Sequence, residues 1–225
     1  MSRPREHVLV TGGSGGIGAA TCVALADAGF TPVVGFHRNR VAAREIAQRC
    51  GGYALELDLE SETSVDAAVR SLEEGGAAVV GLVNAASPRP ALVPFTKVPA
   101  EQMAAQWRAN VEGPRRLLAG LIKRCFLKNR RGTIVGVLTA AMGRDGTATI
   151  GNMSAYVIAK YGQAGVLAAV AGEYPWLKVR SVSPSYTETP MLEAFDERFL
   201  APLREQKRFN TPAEIAASIM EQLTS

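Results

Sequence analysis

Short apolar segments alternate with longer helical patterns along the chain, and this alternation restricts the possible folds more than any other feature. Six short segments rich in branched residues and bounded by Gly, Pro, Asn or Asp predict strands near 8–10, 32–36, 53–57, 79–83, 133–138 and 179–182. Helix patterns lie near 16–28, 39–50, 61–74, 100–128 and 153–172. Continuous apolar strands covered by helices on both faces indicate an α/β fold with a doubly wound parallel sheet, a Rossmann-like three-layer arrangement. In such a sheet, ligands bind at the carboxyl ends of the strands.

Composition excludes several other classes of protein. The chain of 225 residues is 47% hydrophobic and 20% charged, which is typical of a folded globular protein, and we expect one domain over 1–225. Three widely spaced cysteines do not make a disulfide framework, and His7 and His37 have no partners at metal-ligand spacing. A net charge of +4 does not by itself indicate nucleic acid. With no signal peptide and no membrane-length apolar run, we expect a cytoplasmic protein.

A glycine-rich turn follows the first predicted strand. The sequence Thr11-Gly12-Gly13-Ser14-Gly15-Gly16-Ile17-Gly18 leads from that strand into a helix. Glycines permit a tight turn and let backbone N–H groups approach a pyrophosphate at the positive end of the helix. A merely flexible loop is the alternative, but the position between strand and helix is the one that the mechanism requires. This context predicts nucleotide binding.

The end of the second strand bears on which nicotinamide cofactor is bound. An acid there would bind the ribose hydroxyls and repel a 2′-phosphate, but the segment Phe36-His37-Arg38-Asn39-Arg40 contains none. Arg38 can pair with a phosphate, and the Ser14 hydroxyl can add a hydrogen bond. Alternatively, Arg38 and Arg40 are solvated surface charges. We predict NADP(H) in preference to NAD(H), which stays possible.

Tyr156 and Lys160 lie four residues apart, on one face of a predicted helix. A nearby cation favours the phenolate, which would lower the tyrosine pKa towards the range of a general acid. This spacing also occurs by chance on amphipathic helices, where it is an ordinary surface pair.

These residues together resemble the short-chain dehydrogenase/reductase family of the simple, non-extended kind. The resemblance rests on the glycine turn, Asn84-Ala85-Ala86, Asn110 and Tyr156-x-x-x-Lys160 in this order, and on the segment 183–191, which is similar to the one that closes over the nicotinamide. It covers nearly the whole chain and is closest to the 3-oxoacyl-[acyl-carrier-protein] reductase branch. The activity it implies is reduction of a carbonyl, with oxidation of a secondary alcohol or a non-catalytic NADP(H)-binding sensor or scaffold as alternatives.

The resemblance also implies residue roles. Tyr156 would donate the proton, Lys160 would bind the ribose and tune Tyr156, and Asn110 would hold a water that relays protons to Lys160. Asp58 would contact the adenine, Asn84 would hold the loop after strand four, and Thr189 would bind the carboxamide. With the residues inferred above, the predicted cofactor-binding set is Gly12, Ser14, Gly16, Ile17, Gly18, Arg38, Asp58, Asn84, Ala85, Tyr156, Lys160, Thr187 and Thr189.

The sequence departs from the family pattern at three places. The usual catalytic serine position, counted back from the tyrosine, falls on Gly143, so we assign the hydroxyl to Thr139, after strand five. A Pro-Gly pair near the nicotinamide is Pro184-Ser185 here. The family's seventh strand is missing, so we predict six strands and a homodimer built on 100–128 and 153–172, with a tetramer less favoured.

Loops and surface charge suggest the substrate. We predict a pocket formed by 87–95, 140–155 and a lid at 187–207, whose apolar residues favour an acyl or aromatic ketone, or else simply seal the cofactor. The pocket candidates are Leu92, Phe95, Met142, Met153, Met191, Leu192, Phe195 and Phe199. A basic run from Arg115 to Arg131 is either a solvated helix end or a docking patch for an acidic acyl carrier protein. No metal, membrane or nucleic-acid partner is predicted.

Overall fold

A computed structural model describes residues 6–76, 78–143, 145 and 147–225. Its sheet has six strands in the order β3-β2-β1-β4-β5-β6, and every neighbouring pair is parallel. The strands are β1 (Glu6–Thr11), β2 (Thr31–Phe36), β3 (Tyr53–Glu56), β4 (Ala78–Asn84), β5 (Thr133–Val137) and β6 (Lys178–Val182). All six predicted strands are confirmed, as is the doubly wound class.

Helices cover both faces of the sheet, as the parallel connections require. They are α1 (Gly16–Asp27), α2 (Arg40–Arg49), α3 (Glu62–Glu74), α4 (Ala100–Trp107), α5 (Gly113–Leu121), α6 (Ser154–Glu173), α7 (Glu197–Gln206) and α8 (Pro212–Thr224). Alternate strand residues face opposite layers: Val8 and Val10 pack in the core below α1, α2 and α8, whereas Leu9 packs in the core below α3, α5 and α6.

The segment predicted as one helix over 100–128 is helical throughout but irregular. Wider π-helical turns at Arg108–Glu112 and Ile122–Phe126 follow α4 and α5, and a 3₁₀ turn at Leu127–Asn129 ends the segment. Asn110 lies within the first π-helical turn and is fully buried. Such turns often occur at functional sites.

The lid segment contains a helix that the sequence analysis did not predict. Asp196 caps α7 by accepting a hydrogen bond from Arg198 N at 2.8 Å, and Leu200 is buried beneath it. The helix was missed because Pro202 lies inside it and masks the helical pattern. The last helix of the fold is α8, and Thr211 and Glu214 form a capping box at its start.

Three of the seven basic residues in this run are paired with acids within the fold. Arg116 binds Asp66 through two hydrogen bonds of 2.9 and 2.7 Å, Arg124 pairs with Glu73, and Arg131 pairs with Glu6. These arginines therefore connect different secondary-structure elements through ion pairs, and their charges are already neutralised within the fold. Of the run's basic residues that the structure describes, Arg115, Lys123, Lys128 and Arg130 form no ion pair, and Arg130 lies over the Trp176 ring.

Among the described residues, all three cysteines are free. No cluster of His, Cys, Asp or Glu suited to a metal ion occurs among these residues. None of the helices described is both long and apolar enough to cross a membrane.

Phe126 provides a test of the core packing. Its ring is fully buried against Gly132, so Phe126→Ala should lower the free energy of unfolding by about 3–5 kcal/mol through lost burial and a cavity. Phe95→Ala is the matched control, because Phe95 is 75% exposed, and it should change stability by less than about 0.5 kcal/mol. Urea unfolding measures both, and equal losses would contradict this account of the core.

Candidate active site

The glycine turn is packed too tightly for side chains. Gly12 has a φ of 65°, and a Cβ there would lie 2.9 Å from the Ala86 Cα. A Cβ on Gly18 would lie 2.2 Å from the Gly12 carbonyl oxygen, and one on Gly16 would lie 2.6 Å from the Thr189 side chain. The turn therefore brings the amino end of α1 close to the segment after β6, and Gly15 begins α1 without a side-chain cap. A free helix amino end beside a glycine cradle suits an anionic phosphate group.

One hydroxyl connects the glycine turn to the loop after β4. Thr11 Oγ1 donates to Asn84 Oδ1 at 2.8 Å and accepts from the N–H groups of Ala85 and Ala86, both at 3.0 Å. Thr11 and Asn84 are only 1% and 2% exposed, so these bonds fix the loop. Asn84 was predicted to hold this loop, and Thr11 is its hydrogen-bond partner.

The charged residues after β2 differ in their surroundings. Arg40 pairs with Glu56 and lies over the Phe36 ring. His37 Nε2 lies 3.3 Å from Asp58 Oδ2. Arg38 is exposed and forms no ion pair among the residues described, so its guanidinium is available to an added anion.

A cavity of about 330 Å³ opens at the carboxyl ends of the strands. Its walls come from the glycine-turn helix, the loops after β4, β5 and β6, and α6. The lining residues are Ile17, Ala85, Ser87, Pro90, Val137, Leu138, Thr139, Ala140, Ala141, Thr149, Ile150, Met153, Tyr156, Lys160, Pro184, Ser185, Tyr186, Thr187, Thr189, Met191, Leu192, Phe195 and Lys207.

The structure brings Thr139 and Tyr156 together in one wall of this cavity. Burial raises the pKa of Tyr156, and a hydrogen bond with the Thr139 side chain opposes that rise. Thr139 Oγ1 also accepts from Ala141 N at 3.2 Å, which fixes its position after β5. Gly143, the position counted back from the tyrosine, has no hydroxyl, and the Thr139 hydroxyl is the one beside the Tyr156 phenol. The prediction that a nearby cation lowers the pKa of Tyr156 is therefore wrong: burial raises this pKa, and the group that opposes the rise is Thr139, not Lys160.

Lys160 is 2% exposed, although its ammonium borders the cavity. Its Nζ donates to the Val137 carbonyl at 2.9 Å and to Gln163 Oε1 at 2.9 Å. Burial lowers the pKa of Lys160 to about 7. Its Nζ lies 5.7 Å from the centroid of the Tyr156 ring, so the pair is a buried feature of the cavity and not a surface pair.

The structure brings four of the eight residues predicted for the pocket to this cavity. Met153, Met191, Leu192 and Phe195 line the cavity. The remaining four candidates, Leu92, Phe95, Met142 and Phe199, are not among its lining residues. Phe199 instead stacks on Phe195 with their ring centroids 5.6 Å apart, and Leu92 and Phe95 are exposed.

Comparison with known families decides the identification. The family model described as short chain dehydrogenase matches residues 6–198. The chain belongs to the short chain dehydrogenase family. It is an oxidoreductase of the group that acts on carbonyl and hydroxyl groups, and the family binds nicotinamide cofactors.

Two of the curated relatives that this chain matches are named as reductases. The chain is 31% identical over 221 residues to the 3-oxoacyl-[acyl-carrier-protein] reductase MabA of Mycobacterium tuberculosis, covering 95% of this chain and 83% of the relative. It is 31% identical to acetoacetyl-CoA reductase of Rhizobium meliloti, covering 94% and 88%. A variant actinorhodin polyketide ketoreductase solved with NADPH has the same fold, with a TM-score of 0.84 at 24% identity over 97% of this chain and 90% of that one.

Two buried glutamines in this short chain dehydrogenase site were not found from the sequence. Gln163 accepts from Lys160, and Gln106 accepts from Asn110 Nδ2 at 3.0 Å while donating to the Arg89 carbonyl at 3.1 Å. Their signal was helical spacing, because Gln163 follows Lys160 by three residues and Gln106 precedes Asn110 by four.

Thr11→Val tests whether the hydroxyl holds the two loops together. The change keeps the side-chain shape but leaves one buried and two partly buried partners without their hydrogen bond, so the free energy of unfolding should fall by about 2–3 kcal/mol. Thr21→Val is the matched control, because Thr21 is equally buried and its hydroxyl bonds only the Ile17 carbonyl within α1. If urea unfolding gives the same loss for both variants, the linking role of Thr11 is wrong.

Proposed function

We propose that this chain is an NADPH-dependent carbonyl reductase that acts on a 3-oxoacyl thioester, carried by coenzyme A or an acyl carrier protein, or on a related ketone. The observation that carries the proposal is the buried Tyr156–Lys160 pair, with the Thr139 hydroxyl beside it, in a cavity that adjoins the glycine turn. The chain would work as one domain over 1–225 in the cytoplasm, with 187–207 as the lid of the cavity.

The residues present fit a nicotinamide dinucleotide. The glycine cradle and the uncapped amino end of α1 suit the pyrophosphate, which Gly12, Ser14, Gly16, Ile17 and Gly18 would hold. Asp58 would contact the adenine, and Asn84 would hold the loop after β4 against the cofactor. Thr189 would bind the carboxamide, with Ala85 and Thr187 as further cofactor contacts. When bound, the nicotinamide supplies the hydride that reduces the carbonyl.

Arg38 supports the choice of NADP(H). It is the exposed arginine after β2 that has no ion pair among the described residues, whereas Arg40 is already paired with Glu56. A guanidinium binds a 2′-phosphate through paired hydrogen bonds, and no acid follows it to repel that charge. NAD(H) would lack this contact but could still occupy the same cradle.

The proton would come from Tyr156. Its raised pKa keeps the phenol protonated at neutral pH, so that it can donate to the carbonyl oxygen. Thr139 would orient that oxygen, and Lys160 would bind the ribose and tune the phenol. Asn110 is buried in the π-helical turn, and its Oδ1 has no hydrogen-bond partner among the described residues, so it would hold the water that resupplies the proton.

The cavity supports an acyl substrate. Ile150, Met153, Met191, Leu192 and Phe195 give it an apolar lining that suits a hydrocarbon chain better than a sugar. The names of the two curated relatives, both reductases of 3-oxoacyl or acetoacetyl thioesters, support the same class. Oxidation of a secondary alcohol would use the same residues in the reverse direction.

Exposed apolar and basic residues suggest two kinds of protein partner, a second copy of this chain and an acidic acyl carrier. Trp107 on α4 and Ile158 and Tyr161 on α6 are between 37% and 40% exposed, and Trp107 packs beside Gly162, so this apolar face suits a homodimer contact. An acidic acyl carrier would have Arg115, Lys123, Lys128 and Arg130 available, since Arg116, Arg124 and Arg131 are paired with acids of the chain.

Turnover with a proton-donor variant tests the proposed activity. With NADPH and acetoacetyl-CoA, Tyr156→Phe should lose about 100-fold or more in kcat/KM, because the phenol is the proposed acid. Tyr174→Phe, at the end of α6 away from the cavity, should keep wild-type rates. Thr139→Ala should also lose activity and Thr139→Ser should keep most of it. A wild-type protein that turns over no member of a ketone panel would contradict the proposal.

Arg38→Gln tests the cofactor preference. Removing the guanidinium should raise KM for NADPH about tenfold through the lost charged hydrogen bonds while leaving KM for NADH unchanged. Arg44→Gln on the exposed face of α2 is the control and should change neither value. Equal effects on both cofactors would rule out a contact with the 2′-phosphate.

A further inference from the structure

We propose that Gln163 is the positioning residue for Lys160: its amide oxygen and the Val137 carbonyl together hold the ammonium group in the cavity wall. This inference rests on the proposed function, in which Lys160 contacts the cofactor and tunes Tyr156. Gln163 lies one helical turn beyond Lys160 on α6 and away from the residues that line the cavity.

The hydrogen bonds fix which way the Gln163 amide faces. Lys160 has only donors, so the atom 2.9 Å from its Nζ must be the amide oxygen, and the NH₂ group then points away from the lysine. That NH₂ group is buried and has no partner among the described residues. Gln163 is 1% exposed, so its amide is held in a costly buried position, and the contact with Lys160 is the one that offsets this cost.

The side chains and carbonyls around Lys160 determine how much Gln163 affects the lysine pKa. Tyr156 is the titratable side chain that faces the ammonium from α6, while Asn110 and Gln106 in the adjoining helical segment are neutral amides. The side facing β5 supplies the Val137 carbonyl, and no carboxylate of the described residues pairs with the lysine. Two neutral oxygens are therefore what stabilises the charge, and Gln163 is the one that a substitution can remove.

Gln163→Met is the informative substitution, since it keeps the volume of the side chain and removes the acceptor. The protonated lysine loses more than the neutral amine, because hydrogen bonds to charged groups are stronger. The pKa of Lys160 should therefore fall by about one further unit. Gln163→Glu should move it in the opposite direction, because a carboxylate favours the ammonium.

Stability of the cofactor-free protein gives a readout that does not depend on turnover. The pKa of Lys160 is lowered on folding, so its burial penalty is complete below about pH 7 and declines as pH rises towards the unfolded value of 10.5. The loss in Tm caused by Gln163→Met should thus be about 2–4 °C larger at pH 6 than at pH 9. Gln48→Met, on the exposed face of α2, should show no such difference.

The pH profile of acetoacetyl-CoA reduction gives the second readout. The alkaline limb of kcat is expected to report loss of the proton from Lys160. It should therefore move to lower pH in Gln163→Met and to higher pH in Gln163→Glu. A Tm loss that is equal at pH 6 and pH 9, or variants whose profiles keep the wild-type shape at reduced height, would overturn the positioning role. If Gln163→Met does not fold, the direction of the shift in Gln163→Glu decides. Absence of turnover in the wild type would instead contradict the proposed function, and the Tm comparison would still test Gln163.

Discussion

The parallel direction of all six strands is the constraint on which the site depends. Because every strand runs the same way, the segments that follow β1, β4, β5 and β6 all leave the sheet at the carboxyl ends of its strands. Residues as far apart as Ile17, Thr139 and Thr189 therefore line one cavity. The strand order therefore brings together loops that lie far apart along the chain.

Buried polar groups then fix these loops relative to one another. The Thr11 hydroxyl joins the first strand to the loop after β4, and Gln106 holds the same loop from the other side through the Arg89 carbonyl. Gln163 fixes the lysine on the long helix α6. Each of these groups would be costly if left unpaired, so the bonds that anchor the site also act against alternative arrangements of the loops.

The sequence predicted what depends on short-range pattern. The strands, the glycine turn and the Tyr156–Lys160 spacing follow from periodicity and local conformation, and the structure has them within a residue or two. It did not predict α7, where Pro202 interrupts the helical pattern, or that Arg116 and Arg124 pair with acids of α3. These depend on contacts between distant segments. The contact between Gln163 and Lys160 and the raised pKa of Tyr156 both result from burial of these side chains. A sequence pattern does not specify how deeply a side chain is buried, so neither feature could be predicted from it.

The most direct test of the account is to follow a label from cofactor to product. NADPH carrying deuterium at both C4 positions is mixed with acetoacetyl-CoA and the wild-type protein, and the product is analysed by mass spectrometry. The account predicts a 3-hydroxybutyryl thioester with one deuterium on the carbon that bears the new hydroxyl. A protein that binds the labelled cofactor but passes no deuterium to this or any other ketone of a panel would contradict a carbonyl reductase built on Tyr156 and Lys160.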